Sequence, residues 1–271
     1  MGILDGIILG IVQGLTEFLP VSSTGHLDLT LLLLYLGEEN TKSLVIFLHL
    51  STVLAVLFYF RRDIAEILRV LFNRKIAKEQ PGTIHLIKMI ILGLCSTAVV
   101  YLIFKRILDQ FLEKPQSSQI GIAFFFTAVV LIAIAFRKEG SLSEDGIKPW
   151  HAILIGVAQG IGIIPGVSRS GMTICMALLI GLSAPKAFRF SFLLLIPTII
   201  AAWIYDVISN PNALSEIGRW DELLLGSIAA FFTALMAIYL LKGAVVKHKL
   251  WIFSIYLIPA GLFAVLYTFG G

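Results

Sequence analysis

Within ten residues the chain sets a carboxylate, three hydroxyls and an imidazole side by side, as Glu17, Ser22, Ser23, Thr24 and His26. A second short stretch places Arg169 between Ser168 and Ser170 and ends in Gly171. Carboxylate, hydroxyl and imidazole are the parts of nucleophilic and general acid–base chemistry. A planar guanidinium is the side chain best shaped to grip a phosphate or carboxylate. Hydroxyls at a helix N-terminus, with Gly25, Gly166 and Gly171 allowing close backbone approach, can cradle an anion. Each feature also has a plainer explanation: the serines as helix N-caps, Glu17 as a counter-ion for Arg169, His26 as a hydrogen-bonding group at a helix end. Taken together they favour a phosphate-handling site.

The surroundings make these residues stand out. Of the 271 residues, 58% are hydrophobic and only 14% are charged, and the mean hydropathy is +0.94, which is membrane composition rather than that of a soluble domain. A buried ionisable group such as Glu17 costs a few kcal/mol even on a lenient insertion scale, about 3 for a residue at mid-span, so its default meaning is functional. The net charge of +4 points to no nucleic-acid partner, because the basic residues lie between apolar stretches without interleaved aromatics. Cys95 and Cys175 are far apart among aliphatic residues and read as small buried groups, not as a disulfide or metal pair. No basic residue precedes Lys42, so a cleaved signal peptide is not expected and the chain reads as mature from residue 1.

The elements that must position the two motifs form a repeat. GIVQGLTEFLPVSSTGH at 10–26 aligns without gaps to GVAQGIGIIPGVSRSGM at 156–172, sharing Gly10/Gly156, Gln13/Gln159, Gly14/Gly160, Val21/Val167, Ser22/Ser168 and Gly25/Gly171. Each motif separates two short apolar pieces, about 3–19 and 26–36, then about 150–164 and 172–182. With Pro20 and Pro165 at the break, each copy reads as a re-entrant hairpin of two half-helices. Six apolar stretches long enough to span follow, three per copy, at about 43–60, 83–104, 117–136, 187–208, 222–241 and 250–269. The expected fold is therefore an all-α integral membrane protein, one membrane domain over 1–271, with repeat 1 at about 1–137 and repeat 2 at about 148–271. One hairpin plus three spans carries the chain across the membrane, so the second copy is inverted. On this topology the loops 61–82, 137–149, 183–189 and 242–250 hold fourteen Lys and Arg, against five on the opposite face at Lys42, Lys105, Arg106, Lys114 and Arg219. The richer face should be cytoplasmic, with the hairpin tips meeting near the midplane. The segment 62–72 has basic and apolar faces at helical spacing and should lie on the cytoplasmic interface.

Inverted repeats with broken helices are also the architecture of transporters and flippases, and the fold does not choose between these and an enzyme. The asymmetry of the copies favours the enzyme: Glu17 aligns with Ile163, Ser23 with Arg169 and His26 with Met172. Because Ser23 stands opposite Arg169, its hydroxyl is the preferred nucleophile, with His26 as base and Glu17 orienting the imidazole or a metal; attack by His26 or by water stays open. His49, Lys88 and Asp206 have no comparable company and read as interhelical hydrogen-bond partners or snorkelling groups.

With these residues in place, the sequence closely resembles the undecaprenyl-pyrophosphate phosphatase family, also called bacitracin-resistance proteins. QGLTEFLPVSSTGH at 13–26 and PGVSRSG at 165–171 carry the resemblance, and HLSTVLAV at 49–56 and FSFLLLIP at 190–197 look like further family segments. It implies a hydrolase in the multi-pass cell membrane that removes the terminal phosphate of a polyprenyl diphosphate lipid. The product would be the monophosphate carrier for cell-wall polymer synthesis. It also implies a homodimer, a site open to the outer face and a Mg²⁺ or Ca²⁺ requirement. Glu17 matches the family's second acidic residue, Ser22 and Ser23 its serine pair, His26 its histidine and Arg169 its arginine. Where many members have a glutamate this chain has Gln13, an uncharged oxygen one helical turn from Glu17. That weakens the expectation of tight metal binding, since hard divalent cations favour carboxylates. The other common class of membrane lipid phosphatase fits poorly, because no histidine follows Arg169 before His248.

Overall fold

The computed structural model describes residues 2–36, 38–113, 117–211 and 220–270. Over them the chain is helical, with a single isolated bridge between Leu142 and Leu182. The first motif joins α1 (Ile3–Phe18) to α2 (Ser23–Leu33), and α3 (Glu38–Tyr59), α4 (Arg61–Phe72), α5 (Arg74–Glu79), α6 (Pro81–Glu113) and α7 (Ser117–Ala135) follow. The second motif joins α8 (Pro149–Ile161) to α9 (Arg169–Leu179), ahead of α10 (Ala184–Ser209), α11 (Trp220–Val246) and α12 (Ile252–Gly270). Five helices are long and apolar enough to cross a bilayer, at Thr41–Tyr59, Pro81–Lys105, Ser117–Ala135, Ala184–Ser209 and Trp220–Val246. The sixth apolar stretch is α12, whose part at Ile252–Tyr267 is shorter than those five. Large apolar side chains such as Leu102, Ile122, Val129, Phe232, Leu240 and Ile255 are exposed on these helices. In water that would be costly; in a bilayer it is the lipid-facing surface. The protein is an all-α, multi-pass membrane protein.

Both breaks fall where the proline- and glycine-bearing stretches predict them. The second half-helices, however, begin at Ser23 and Arg169 rather than near 26 and 172. The reason in the second copy is capping: Ser168 is the N-cap, and its Oγ accepts the Gly171 N–H at 3.1 Å. Ser23, Thr24 and Ser170 consequently lie inside the first helical turns instead of ahead of them.

Close packing holds the short half-helices among the spans. On α1, Gly6, Gly10 and Gly14 recur every four residues along one face. A Cβ on Gly10 would collide with the Gly226 carbonyl of α11, and one on Gly14 with Thr233 and the Ala230 carbonyl. The α8 helix meets α6 in the same way, Gly156 against Gly93 and Gly160 against Val100, while Gly121 of α7 lies against Gly261 of α12. Without a hydrophobic drive between helices in lipid, such small-residue seams give the association its van der Waals energy. Phe18 at the end of α1 packs on Phe192 of α10 at 5.7 Å, and Phe192 in turn on Phe60 and Phe188 at 5.3 and 4.5 Å between ring centroids. This aromatic cluster fixes the end of α1, and with it the residue before it, Glu17.

The charged face is tied together by Arg189. Its Nε donates to Asp63 of α4 at 2.5 Å and its Nη1 to Glu144 at 2.5 Å, and Lys186 lies 3.7 Å from the same Glu144 carboxylate. The basic amphipathic segment expected at 62–72 is the helix α4, clamped by these contacts to the head of α10. Lys114, Arg219 and the rest of the loop 212–219, which the charge count places on the other face, lie outside the described residues.

Candidate active site

The first break builds half of the site from neighbours in sequence. The α1 helix stops at Phe18, Leu19 is extended, and Ser22 adopts φ = 72° before α2 begins. A non-glycine residue in that region costs about 1–3 kcal/mol and needs outside support. His26 supplies it, with both its backbone N–H, at 3.3 Å, and its ring Nδ1, at 2.7 Å, on the Ser22 carbonyl. The tight reversal brings Ser23 back over the end of α1, where its Oγ donates to Glu17 Oε2 at 2.5 Å. One turn earlier, Gln13 Nε2 donates to the same oxygen at 3.1 Å. Gln13, Glu17, Ser22, Ser23 and His26 are all buried.

The second break supplies the cation. Gly166, at φ = 86°, turns the chain where a side chain would be strained and would also meet Ala123 and the Ile120 carbonyl of α7. Thr127 of α7 accepts the Ser168 N–H at 3.3 Å. Ser168 and Ser170 share a hydrogen bond at 3.2 Å, and Ser170 also donates to the Leu19 carbonyl at 3.3 Å. The two breaks therefore touch, Gly171 lying against Pro20. Arg169 reaches across to Glu17, Nη2 to Oε1 at 3.2 Å. Among the described residues this is the only ion pair or hydrogen bond of the guanidinium, so most of its fork is available to an anion.

The structure thus gathers Ser23, Arg169 and Gln13 around the Glu17 carboxylate. His26 is the exception. The expected pairing of Ser23 with His26 is not formed, nor does Glu17 orient the imidazole; Ser23 is bonded to Glu17, and His26 Nε2 lies 2.7 Å from the Tyr256 hydroxyl of α12. Thr24, expected among the phosphate-binding hydroxyls, is exposed while its neighbours are buried. Gly25 and Gly166 serve packing, since a Cβ on Gly25 would press into Ile120 and Phe124. Gly171, expected in the phosphate cradle, donates its N–H to Ser168 Oγ. Tyr256 and Thr127 were not legible as site residues, because each sits in an apolar span with nothing local to mark it. His49 and Asp206 are brought to 3.9 Å of one another.

As a cation site the cluster offers little of its own. Both Glu17 oxygens are engaged, while Gln13 Oε1 is buried and has no hydrogen-bond partner. Among the described residues no group of three or more His, Cys, Asp or Glu is arranged to hold a metal ion.

A carboxylate, a hydroxyl and a guanidinium thus converge between broken helices of a multi-pass membrane protein. Comparison with known proteins narrows the class. The profile of the family described as "Bacitracin resistance protein BacA" matches residues 6–263. The chain is 37% identical to a protein named undecaprenyl-diphosphatase from Treponema denticola, the alignment covering 100% of this chain and 99% of that one. It is 38% identical to one from Persephonella marina, over 99% of this chain and 100% of the other. It is 35% identical to one from Korarchaeum cryptofilum, over 97% and 98%. The chain belongs to the BacA family.

Proposed function

We propose that this membrane phosphatase hydrolyses undecaprenyl diphosphate, or a related polyprenyl diphosphate, to the monophosphate carrier lipid and inorganic phosphate, and that it confers bacitracin resistance by doing so. The observation that carries the chemistry is the Arg169–Glu17–Ser23 chain, with 3.2 and 2.5 Å contacts on the two oxygens of one carboxylate. Arg169 binds the terminal phosphate through the part of its fork that Glu17 leaves free. Ser23 Oγ attacks the phosphorus, its proton passes to Glu17 Oε2, and the bond to the bridging oxygen breaks, releasing the lipid monophosphate. Water then cleaves the phosphoserine. Glu17 therefore takes the base role that spacing alone had given to His26, because a proton acceptor must lie within hydrogen-bond reach of the proton it takes. Ser22, Ser168 and Ser170 lie at the helix breaks beside the phosphate, and the first turn of α2, which has no side-chain cap, offers its N–H groups to the anion.

A Mg²⁺ or Ca²⁺ ion, as the resemblance implies, would find Glu17 and the unpartnered Gln13 Oε1 as its protein ligands and would take the rest from the substrate's phosphates. Its chemistry would be neutralisation of phosphate charge.

The reading includes an inverted repeat. In support, each first half-helix packs on a span of the other copy, α1 on α11 and α8 on α6, through the aligned glycines Gly10 and Gly156. The aligned Gln13 and Gln159 are both fully buried with Oε1 unpartnered. The charge asymmetry supports a cytoplasmic-membrane protein whose site opens outward, and the family resemblance supports a homodimer.

Colorimetric phosphate release by the purified protein across a panel of polyprenyl diphosphates, with a soluble diphosphate as control, tests the proposal. Release from the lipids is the expected result. Lipid transport without release would overturn it in favour of a flippase.

A further inference from the structure

Tyr256 lies on α12, 230 residues from His26, yet its hydroxyl is 2.7 Å from His26 Nε2. The other ring nitrogen, Nδ1, is 2.7 Å from the Ser22 carbonyl. A carbonyl oxygen can only accept, so Nδ1 carries the proton. A neutral imidazole has one N–H, so Nε2 is bare and the tyrosine hydroxyl donates to it. The imidazole also stacks with two rings, Phe124 at 4.8 Å and Tyr256 at 5.5 Å between centroids. It is thus held in its plane as well as at both nitrogens.

What this arrangement secures is the turn ahead of Ser23. Ser22 sits at φ = 72°, and the bond from Nδ1 is the only side-chain contact among the described residues that pins its carbonyl. If the proton moved to Nε2, the Nδ1 lone pair would face the carbonyl lone pairs and the turn would lose that support. Ser23 is the next residue, and its 2.5 Å bond to Glu17 depends on the turn.

We infer that Tyr256 is a positioning residue for this phosphatase: its hydroxyl holds His26 in the Nδ1–H tautomer, and through His26 and the Ser22 carbonyl it aims Ser23 at Glu17. His26 then acts on the backbone of the nucleophile's turn and not on the nucleophile's proton. The inference rests on the site proposed above, but its first test needs no substrate.

In full-length protein labelled with ¹⁵N-histidine, the chain's five histidines give a small set of ring signals, and the His26 pair is identified by its loss in His26→Asn. The parent should show a protonated Nδ1 and a bare Nε2 for His26. Tyr256→Phe keeps the stacked ring and removes only the hydroxyl. It should give a mixture of tautomers and lower kcat about tenfold, as for the loss of a group that orients a working side chain, with KM within twofold. A parent spectrum with the proton on Nε2 overturns the inference even if the variant fails to fold. In a folded Tyr256→Phe protein, unchanged His26 signals or unchanged kcat also overturn it. Failure of the parent to hydrolyse polyprenyl diphosphates would instead refute the proposed function, leaving the spectrum to stand.

Discussion

At the scale of the residue, the site turns on a single carboxylate read by three partners. Glu17 is 1% exposed at its side chain and Arg169 22%, so the pair is shielded enough that removing one member leaves a poorly solvated charge, a loss of about 3–5 kcal/mol where burial is complete. Glu17→Gln should therefore be both inactive and less stable. The double variant Glu17→Gln/Arg169→Gln should recover thermal stability while staying inactive, and recovery of turnover in it would reduce the pair to a structural bridge. Arg169→Lys keeps the charge but not the fork, and should lower kcat/KM roughly 100-fold, the scale of losing one preorganised donor at a developing anion. Near-normal turnover there would remove the phosphate clamp. The nucleophile is open to direct capture: rapid quenching with substrate labelled on its terminal phosphate should trap an acid-stable phosphoserine that disappears in Ser23→Ala. An acid-labile, base-stable adduct that disappears instead in His26→Ala would transfer the role to the histidine. Gln13→Glu adds a carboxylate one helical turn from Glu17, and should raise the apparent affinity for Mg²⁺ or Ca²⁺ in the activity assay; no change would leave the ion entirely to the substrate.

At the scale of the element, the half-helices are too short to be stable alone and depend on what they touch. The α1–α11 seam works because glycine leaves no Cβ between the backbones, so bulk there cannot be absorbed by a rotamer change. Gly10→Val should cost about 3 kcal/mol, the upper end of ordinary overpacking, and show as a lower thermal midpoint in detergent or as loss of folded protein. Gly243, near the end of α11, has nothing within 4 Å of where a Cβ would stand. Gly243→Ala should be neutral or add up to about 1 kcal/mol through helix propensity. Equal effects at the two positions would show that propensity, and not the seam, governs these helices. At the other end of the bundle Arg189 joins α4 to the segment before α8. Arg189→Met should lower stability by about 2 kcal/mol, as charged hydrogen bonds are lost, without altering KM.

At the scale of the whole molecule, the charge outside the spans predicts the orientation by the positive-inside rule. After replacement of the exposed Cys95 and the buried Cys175, single cysteines in 38–42 and 209–219 should label from outside intact cells, and those in 73–80 and 140–147 should not. Labelling of all four from one side would break the inverted topology. What the chain alone determined is local. Apolar run lengths set the helices and the membrane, because every backbone polar group in lipid must be satisfied within its own segment. Proline and glycine set the breaks, and the types of Glu17, Ser23 and Arg169 marked the site, since charge in an apolar stretch is too costly to be idle. What only the tertiary structure decided is which groups face each other across the bundle. Tyr256 and Thr127 look like any other residue of an apolar span, and no periodicity says that α12 brings a hydroxyl to His26 or that α7 brings one to Ser168. The same holds for His49 and Asp206, on α3 and α10, which look isolated in sequence and are neighbours in space. The choice of Glu17 over His26 as partner of Ser23 belongs here too. Sequence spacing allowed both, and it was the Ser22 carbonyl on one nitrogen and the Tyr256 hydroxyl on the other that left the imidazole no hand free.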